Sequence, residues 1–577
     1  MRLMVSKSKN SETLYVIESA YDPKTKKSSS KVVERLGSPG EIMAAHATTD
    51  AIGWAKAYIS ALTEAGKKEG PEARVALSLS PNKRIGLDDP RICHGGYLFL
   101  QRIYCELKLD RICAELANAH KFDYDLDACL SALVFGRVLM PASKLATDAW
   151  AKRLIEPKAF SLQHIYRALD VIAEGSASIQ SRLYRNSKPC ARRNDAILYY
   201  DCTNFYFEIE QEEGIRQYGI SKENRPNPIV EMGLFMDGSG IPLAFSVHPG
   251  NTNEQVTLTP LEQSILKDFE LAKFVVCTDA GLASATNRRF NDTACRRFVT
   301  AQPIKSLKAY LKKWATSKKG WQLLGHAGTF DLDEVDEEAC YKGVFFKERW
   351  INDGGLEQRL VVTYSPKYAA YQRRVRARQV ERAQKLLENN PEKANRHGRN
   401  DYRRFVSSVP VTDEGEVASK NVFSLDAKAI DEEAVYDGLY AVATNLEGDV
   451  SGVIKVNKGR WEIEECFRIM KNELKSRPVY LQRDERIKAH FTTCFIALVL
   501  CRMIEQRLDG RFSMEEIVSA MRSMDFIRQK GEGYQPAYER TAVTDALHDA
   551  FGFYTDTEIV SNKEMRKIIS QTKRTGK

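Results

Sequence analysis

The spacing of apolar residues changes along the chain, and each change marks a different kind of predicted structure. Residues 12–36 alternate apolar and polar positions around a polar turn, which predicts a β-hairpin. A helical segment and the polar stretch GKKEGPEA at 66–73 follow. From about residue 95 to 185, apolar residues recur every three or four positions, as is typical of helices. These helices fit either a helix-turn-helix unit or plain mutual packing, and plain packing is favoured.

A strand-rich region begins near residue 195. The stretches DAILYYDCTNFYFEIE, PIVEMGLFMDGSGIPLAFSVHPG, AKFVVCTDAG and RRFVTAQP are rich in β-branched and aromatic residues. The turn DGSG joins two strands of this region, and short helical patterns separate the later ones. Three strands in a meander, followed by helix–strand–helix–strand, predict an α/β fold with a mixed sheet.

Residues 304–435 interrupt this pattern. Within them the stretch 371–404 has 11 Arg or Lys residues against 4 Asp or Glu, an excess of +7 out of the chain's +9. A charge run is usually a solvated face, but this concentration favours contact with nucleic acid. The strand pattern resumes at 437–446, and helical patterns at 459–475 and 484–525 follow it.

Length predicts several domains, because 577 residues exceed the size at which a single core keeps growing. The patterns divide the chain into an N-terminal part, a helical domain, a sheet core in two parts, an insertion and a tail. The tail has dimerisation as a candidate role. The predicted bounds are 1–90 for the hairpin and linker, 91–190 for the helical domain, 195–303 and 436–525 for the core, 304–435 for the insertion and 526–577 for the tail.

Composition narrows the class of protein. Apolar residues make up 43% and charged residues 28% of the chain, which is typical of globular proteins and not of disordered ones. The net charge of +9 alone leaves nucleic-acid binding at about even odds. Twelve single cysteines without a CxxC pair argue against a zinc ribbon or a thioredoxin motif. The N-terminus lacks a signal-peptide core, and the longest apolar run, CFIALVLC, is too short for a bilayer, so we expect a cytoplasmic protein without membrane partners.

Two predicted strands carry an aspartate where a buried strand is normally apolar. Asp201 lies in LYYDCTN and Asp279 in VVCTDAG. An unpaired buried carboxylate is costly, so such a residue usually caps a turn, pairs with a basic group or binds a metal. For one strand-end aspartate a turn cap is the simpler explanation. Two of them in one α/β layer make metal binding about as well supported as capping, because ligand clefts form outside the carboxyl ends of such strands.

A third acid comes from the stretch GRWEIEECFRIMKNELK at 459–475, which predicts one helix with three glutamates within four positions, 462–465. At about 100° per residue, Glu464 falls beside the apolar stripe, whereas Glu462 and Glu465 point away from it. Four cations share the stripe of Glu464: Arg460, Arg468, Lys471 and Lys475. An i,i+4 salt-bridge ladder is the alternative, but it would suit the other two glutamates equally well. Glu464 is therefore the candidate.

Two aspartates and a glutamate provide hard oxygen ligands suited to Mg²⁺ or Mn²⁺. With two ions about 3.5–4 Å apart, one ion activates the attacking oxygen and the other stabilises the leaving oxygen of a phosphodiester. Arg460 and Lys471 would then hold DNA phosphates beside the ions. The residues thus indicate catalytic and metal-binding roles for Asp201, Asp279 and Glu464.

These residues resemble the DDE transposases of bacterial insertion sequences, whose signature is Tyr-x2-Arg-x3-Glu-x6-Lys. Arg460, Glu464 and Lys471 match its last three members, and Asn457 stands at the tyrosine position. The stretches LYYDCTN, GISKENRP, HPGNTNE, TDAGLAS and RPVYL also look like the family, and the similarity covers roughly residues 95 to 510.

The resemblance implies an RNase H-like core interrupted by an insertion domain. It also implies metal-dependent cleavage of transposon ends, attack of the 3′-hydroxyl on target DNA, and a homodimer that holds two ends at the nucleoid. The helical domain and N-terminal hairpin would read the terminal inverted repeats. The family-like loop GISKENRP adds Ser221, Lys222 and Arg225 as phosphate contacts, for which a solvated loop is an equal alternative. Lys475 and Arg468 complete the DNA-binding set.

Two other functions compete with an active transposase. A metal-dependent nuclease on the same fold would cut DNA without strand transfer, but the signature spacing and the insertion argue against it. A catalytically inactive DNA-binding protein derived from a transposase would retain the fold alone. The presence of all three acids argues against that alternative, and purified protein that binds ends without cutting them would favour it.

Overall fold

The computed structural model describes residues 2–8, 11–22, 27–46, 48–68, 81–82, 84–87, 89–394, 401–411 and 420–574. The chain forms two compact units, Met1–Leu87 and Asp88–Lys577. The predicted boundaries at 190, 303, 435 and 525 all lie within the second unit. The hairpin turn at 23–26, the linker residues 69–73 and residues 395–400 of the basic stretch lie outside the described residues.

The first unit is a three-stranded antiparallel sheet with two helices. Its elements are β1 (Arg2–Ser8), β2 (Ser11–Asp22), β3 (Lys27–Gly37), α1 (Pro39–His46) and α2 (Ala51–Lys68). Leu14 of β2 packs with Ile42 of α1 and Ala55 of α2, and all three are buried. This small core follows from the alternation along β2, which places every second side chain on the same face.

Six helices open the second unit, and several of them pack against a seventh. After β4 (Ile92–His94) come α3 (Tyr97–Glu106), α4 (Leu109–Asn118), α5 (Leu126–Leu139), α6 (Lys144–Ala151), α7 (Leu162–Glu174) and α8 (Ser176–Ser187). Helix α16 (Asp484–Arg507) packs against α3, α5, α7 and α8 and carries the apolar run CFIALVLC. Of the described helices, α16 alone is by itself long and apolar enough to cross a bilayer, and α5 with α6 passes the same test only as a pair bent by 102°. In α16, 94% of the apolar 18-residue stretch is buried within the protein, as expected for the central helix of a core.

A mixed sheet forms the other half of the second unit and confirms the predicted α/β class. Among the described residues it has nine strands in the order β10-β11-β12-β15-β9-β8-β5-β6-β7. Strand β8 is parallel to both β5 and β9, and the remaining neighbours are antiparallel. The strands are β5 (Ile197–Tyr206), β6 (Ile229–Asp237), β7 (Pro242–Pro249), β8 (Phe274–Thr278), β9 (Arg296–Ala301), β10 (Gln322–Leu323), β11 (Phe345–Asp353), β12 (Leu356–Tyr364) and β15 (Leu439–Thr444).

The segment 304–435 continues this sheet instead of standing apart from it, because β10, β11 and β12 extend it beyond β15. Helices α9 (Leu258–Asp268) and α10 (Ala285–Phe290) connect the strands before the insertion. The insertion also holds α11 (Ala309–Thr316), α12 (Pro366–Asn389), the pair β13 (Val406–Val411) and β14 (Lys420–Leu425), and α13 (Ala427–Ala434). Most of the basic stretch therefore lies on α12.

The C-terminal segment returns to the start of the second unit. Strand β16 (Asp525–Gln529) pairs with β4, and Gln101 Nε2 of α3 donates a hydrogen bond to Thr572 Oγ1 at 2.9 Å. The remaining elements are α14 (Val450–Lys458), α15 (Trp461–Arg468), α17 (Met514–Ser523), β17 (Gly533–Pro536), α18 (Ala542–Phe551), β18 (Val560–Ser561) and α19 (Asn562–Thr572). The predicted tail is thus part of the folded unit, and its role in dimerisation stays a prediction.

Candidate active site

Asp201 and Asp279 lie side by side on neighbouring parallel strands. Tyr200 of β5 is in register with Thr278 of β8, so the two aspartates hold the next positions along the two chains. Neighbouring strands are about 4.8 Å apart. Asp279 directly follows β8, and its Oδ1 accepts a hydrogen bond from the Leu282 amide at 3.1 Å. Asp279 therefore caps a turn, as the simpler explanation expected, and metal binding by the two aspartates stays a prediction.

The segment that carries Glu464 crosses the same face of β5. The Tyr199 hydroxyl donates to the Val456 carbonyl oxygen at 3.0 Å, and Lys471 Nζ donates to Thr203 Oγ1 at 2.7 Å. Alternate residues of a strand face the same side, so Asp201 points toward the segment between these two contacts. Glu464 lies midway along that segment.

The segment is not one continuous helix. Helix α14 ends at Lys458, α15 begins at Trp461, and Ile469–Glu473 form a π-helical turn. At the junction, a Cβ on Gly459 would overlap the Tyr199 hydroxyl, so glycine allows the backbone to approach β5 closely. The junction leads directly into Arg460, whose Nη1 lies 3.5 Å from Glu464 Oε1.

Glu464 is the most exposed of the three glutamates, and the helical-wheel prediction for the other two is wrong. The side chain of Glu464 is 60% exposed, whereas those of Glu462 and Glu465 are 31% and 19% exposed. Glu462 pairs with Arg502 of α16, and Glu465 pairs with Arg468. The helical wheel predicted too narrow a buried face. Cys466 and Ile469 are also fully buried, and they extend the buried face of the helix toward Glu462.

The site combines buried acid with partly buried base. Burial raises the pKa of the Asp201 carboxyl to about 6; the Lys222 ammonium opposes that rise, and the Asp279 carboxylate adds to it. Burial lowers the pKa of Lys471 to about 8, and the charge of Lys222 lowers it further. Arg460 also lies close enough to Asp201 to favour its charged form. A bound anion would favour the charged forms of the Lys222 and Lys471 ammoniums. A bound cation would favour the charged form of the Asp201 carboxyl.

Two further glutamates, absent from the predicted set, lie close to each other, and one of them, Glu254, borders Asp279. An added Cβ on Gly281 would lie 3.3 Å from Asp279 Oδ1 and 3.7 Å from Glu254 Oε2, so both carboxylates border that glycine. Glu231 is 3% exposed, and burial and Glu254 raise its pKa. The signal was present in the sequence, since Glu231 is an acid inside the otherwise apolar strand IVEMGLFM, just as Asp201 is in LYYDCTN.

Lys222 connects these glutamates to the aspartates. Its Nζ donates to the Cys202 carbonyl oxygen at 2.6 Å and lies 2.7 Å from Glu254 Oε1. The two other residues predicted in this loop have local contacts. Ser221 Oγ accepts from the amides of Glu223 and Arg225 and so shapes the turn, and the Arg225 guanidinium stacks on the Tyr206 ring at 4.3 Å. The loop thus brings Lys222 into the site.

The remaining predicted DNA-binding residues lie farther along the helix. Arg468 pairs with Glu465, and Lys475 is exposed, with a φ of +43° that ends the helical run. Asn457, at the tyrosine position of the signature, lies 3.5 Å from the hydroxyl of Tyr440 on β15. The hydroxyl of Tyr440 on β15 therefore lies next to Asn457, the position at which the signature has its tyrosine.

The residues that could hold a divalent ion are the carboxylates around this edge of the sheet. Over the described part of the chain, no three His, Cys, Asp or Glu side chains stand close enough together to hold a metal ion. The structure brings Asp201 next to Asp279, while Glu464 pairs with Arg460. The convergence of all three acids stays a prediction.

Comparisons with known proteins bear on the same region. A family model described as "Transposase DDE domain" matches residues 196–500, which include both aspartates and Glu464. A solved structure that aligns with the chain is a cryo-EM structure of the piggyBac transposase synaptic complex with hairpin DNA. It shares 9% identity, with 83% of this chain and 84% of that chain covered and a TM-score of 0.35. Comparison with curated protein sequences gave no match.

Proposed function

Because the chain belongs to the DDE transposase family, we propose that it is a DNA transposase that cleaves transposon ends and joins their 3′-hydroxyl groups to target DNA. The observation that carries this proposal is the in-register pair Asp201 and Asp279 beneath the segment with Arg460, Glu464 and Lys471. Its partner is double-stranded DNA, both terminal inverted repeats and target. It works as a homodimer on two paired ends, in the cytoplasm at the nucleoid.

The catalytic core in this proposal is RNase H-like and comprises β5 to β9. The order β7-β6-β5-β8-β9, with an antiparallel meander on one side of β5 and parallel strands on the other, supports that assignment. The insertion between β9 and β15 separates the second acid from the third. The third acid returns to the core on α15, which packs against β5.

Asp201, Asp279 and Glu464 would hold the metal, Mg²⁺ or Mn²⁺, with two ions as the expected number. The residues fit such ions, because carboxylate oxygens are their preferred ligands and a cation would relieve the unfavourable burial of the Asp201 charge. When bound, the ions activate the attacking oxygen and stabilise charge on the scissile phosphate.

The chain's own basic residues orient the DNA backbone. Arg460 can donate two hydrogen bonds to one phosphate, and its pairing with Glu464 holds the guanidinium at the site. Lys471 is anchored by Thr203, which fixes its ammonium beside Asp201's strand. Lys222 places a further positive charge next to the aspartates while it holds Glu254. These fixed charges position a phosphodiester without reorganisation during the reaction.

The test uses purified protein with DNA that carries the sequences flanking its gene. With Mg²⁺, the protein should nick the end of the inverted repeat and leave a 3′-hydroxyl, and EDTA should abolish the cut. Asp279→Asn should remove cleavage while it retains DNA binding. Asp268→Asn is the matched control, because Asp268 is an exposed carboxylate at the end of α9.

Three results would each contradict a part of the proposal. Binding of the ends without cleavage in any divalent ion would favour the inactive DNA-binding alternative. Cleavage without joining of the 3′-hydroxyl to a target plasmid would favour the nuclease alternative. Equal cleavage by the wild type and Asp279→Asn would remove Asp279 from the catalytic set.

A further inference from the structure

A positively charged cavity lies beyond the C-terminal end of the Glu464 segment. It has a volume of about 510 Å³ and separates α5, α6 and α7 from the chain at 475–481. Four of its lining residues carry positive charge: Arg137, Lys144, Lys475 and Arg477. None of its described lining residues is an Asp or Glu. One of these residues, Arg477, pairs with Glu223, which does not line the cavity. We call this space the cation cavity.

Lys144 is the unusual member of this set. It is only 8% exposed, and within the described residues its side chain makes no hydrogen bond or ion pair. Burial lowers its pKa to about 7, and the neighbouring Arg137 charge lowers it further. Buried ammonium groups are normally paired, because an unpaired charge loses its hydration without compensation. Lys144 lines the cation cavity, so a ligand there could supply the missing partner.

Arg137 faces the same space with spare hydrogen-bonding capacity. It is 8% exposed; its Nη1 donates to the carbonyl oxygens of Leu474 and Lys475 at 3.4 Å each, and its Nε has no partner. His490 does not neutralise either cation. Its Nε2 bonds to the Ser476 carbonyl oxygen at 3.0 Å, and burial together with Arg137 and Lys144 lowers its pKa.

The helix that begins at Lys144 adds to the positive potential. Ser143 caps α6 and lines the cavity, so the amide end of this eight-residue helix points toward it. Helix N-termini, lysine ammoniums and arginine guanidiniums are three groups that proteins use to bind phosphate. Their combination around one cavity without an acid selects a compact anion with several acceptor oxygens.

The cavity also lies at a suitable distance from the candidate active site. Lys475 follows Glu464 by 11 residues, through the end of α15 and the π-helical turn Ile469–Glu473, and a helical path of that length rises at most about 16 Å. That length corresponds to about five base pairs of duplex. A DNA strand with its scissile bond at the aspartates would thus present another phosphate near this cavity.

We propose that the cation cavity binds a backbone phosphate of the DNA substrate, with Lys144 and Arg137 as its ligands. The source of the phosphate rests on the proposed function, whereas the chemistry of the cavity does not. Bound phosphate pairs with the Lys144 ammonium and accepts from the Arg137 guanidinium, both of which line the cavity. The contact fixes the register of the duplex relative to the active site and reads no base.

The test compares Lys144→Met with Lys121→Met, in which an exposed lysine outside the cavity loses the same charge. Affinity for a fluorescein-labelled duplex is measured by anisotropy at several salt concentrations, in EDTA so that cleavage plays no part. We expect Lys144→Met to weaken binding about three- to tenfold and to lower the slope of log K against log[salt] by about one. Lys121→Met should leave both unchanged, and an unaltered melting temperature or a higher one would show that the Lys144 variant is folded.

Inorganic phosphate provides the second arm. If the cavity takes a DNA phosphate, duplex should raise the melting temperature of the wild type more than that of Lys144→Met, and millimolar phosphate should have little effect. Stabilisation by phosphate with no difference between the variants in DNA binding would overturn the assignment to DNA. Equal duplex affinities and salt slopes for wild type and Lys144→Met, with no response to phosphate, would overturn the site itself. Since no cleavage is measured, these outcomes are independent of whether the protein is an active transposase.

Discussion

Asp201 and Asp279 stand in adjacent register on two parallel strands, although 77 residues of chain separate them. Two carboxylates held this close repel each other, and burial raises the pKa of Asp201 to about 6. The protein maintains this arrangement through the strand pairing of β5 with β8 and the turn that Asp279 caps. Such a costly pair is typical of functional sites.

Replacing Asp201 should therefore separate activity from stability. Asp201→Asn should lower cleavage by about 10³-fold or more and, at neutral pH in EDTA, stabilise the fold by roughly 1–3 kcal/mol. Because the folded pKa is above the ordinary value of 3.8, the Asp201 carboxyl destabilises the fold increasingly as pH rises from about 4 to 6. The stability gain of the variant should follow the same window. Thermal melts between pH 4 and 8 and a cleavage assay measure both effects, and a gain confined to acidic pH would contradict this account.

The close approach at Gly459 gives a second prediction. Gly459→Ala would push its new methyl group into the Tyr199 hydroxyl and displace α15 from β5. We expect cleavage to fall about 100-fold while circular dichroism remains near that of the wild type. Gly452→Ala is the matched control on the neighbouring helix, since an added Cβ there meets nothing within 4 Å. That control should gain roughly 0.5–1 kcal/mol from helix propensity. Equal activity of the two variants would refute the positioning role of the junction.

A buried ion pair away from the site should control the stability of the meander. Arg193 Nε donates to Asp237 Oδ2 at 2.7 Å, and the two side chains are 3% and 0% exposed. Arg193→Leu leaves the Asp237 charge buried and should cost about 3–5 kcal/mol. Arg192→Leu is the control, because its partner Asp509 is also exposed, and it should cost about 1 kcal/mol or less. Denaturant unfolding measures both, and similar losses for the two variants would disprove the distinction.

Replacing Lys144 should stabilise the fold, whereas replacing Arg193 should destabilise it. Its folded pKa of about 7 lies below the ordinary 10.5, so the folded protein disfavours the charged form below pH 10.5 and bears the full cost below pH 7. Lys144→Met, which keeps the apolar stem, should therefore raise the melting temperature in the absence of DNA. Its advantage should shrink as pH rises from 7 toward 10.5. Melting curves across this range check the trend, and a variant less stable than the wild type at pH 7 would contradict the absence of a partner.

Local patterns predicted the elements of the site well. The strand that contains Asp201 and the strand that precedes Asp279 occur where their apolar residues indicated. These features depend on short stretches of chain, in which side-chain spacing determines the local conformation.

Features that depend on distant contacts could not be predicted in the same way. The partner of Glu462 is Arg502, which lies on another helix, and the C-terminal segment pairs with β4 across more than 400 residues. Glu254 borders Asp279, and Glu231 lies beside Glu254, only because β6 and the loop after β7 fold next to β5 and β8. The spacing of residues along the chain does not indicate which distant residues will pair. Only Glu231, an acid inside the apolar strand β6, could have been identified from the sequence.

The strands of the insertion have a mechanical consequence. Strand β12 bonds to β15, β15 to β9 and β9 to β8, the strand that ends at Asp279, so one ladder of backbone hydrogen bonds leads from the insertion to the catalytic edge. The insertion is thus not a detachable module. Excising it would remove β12 and expose the outer edge of β15, which could then pair with other chains. The basic helix α12 follows β12 directly, so the same ladder of strands joins α12 to Asp279.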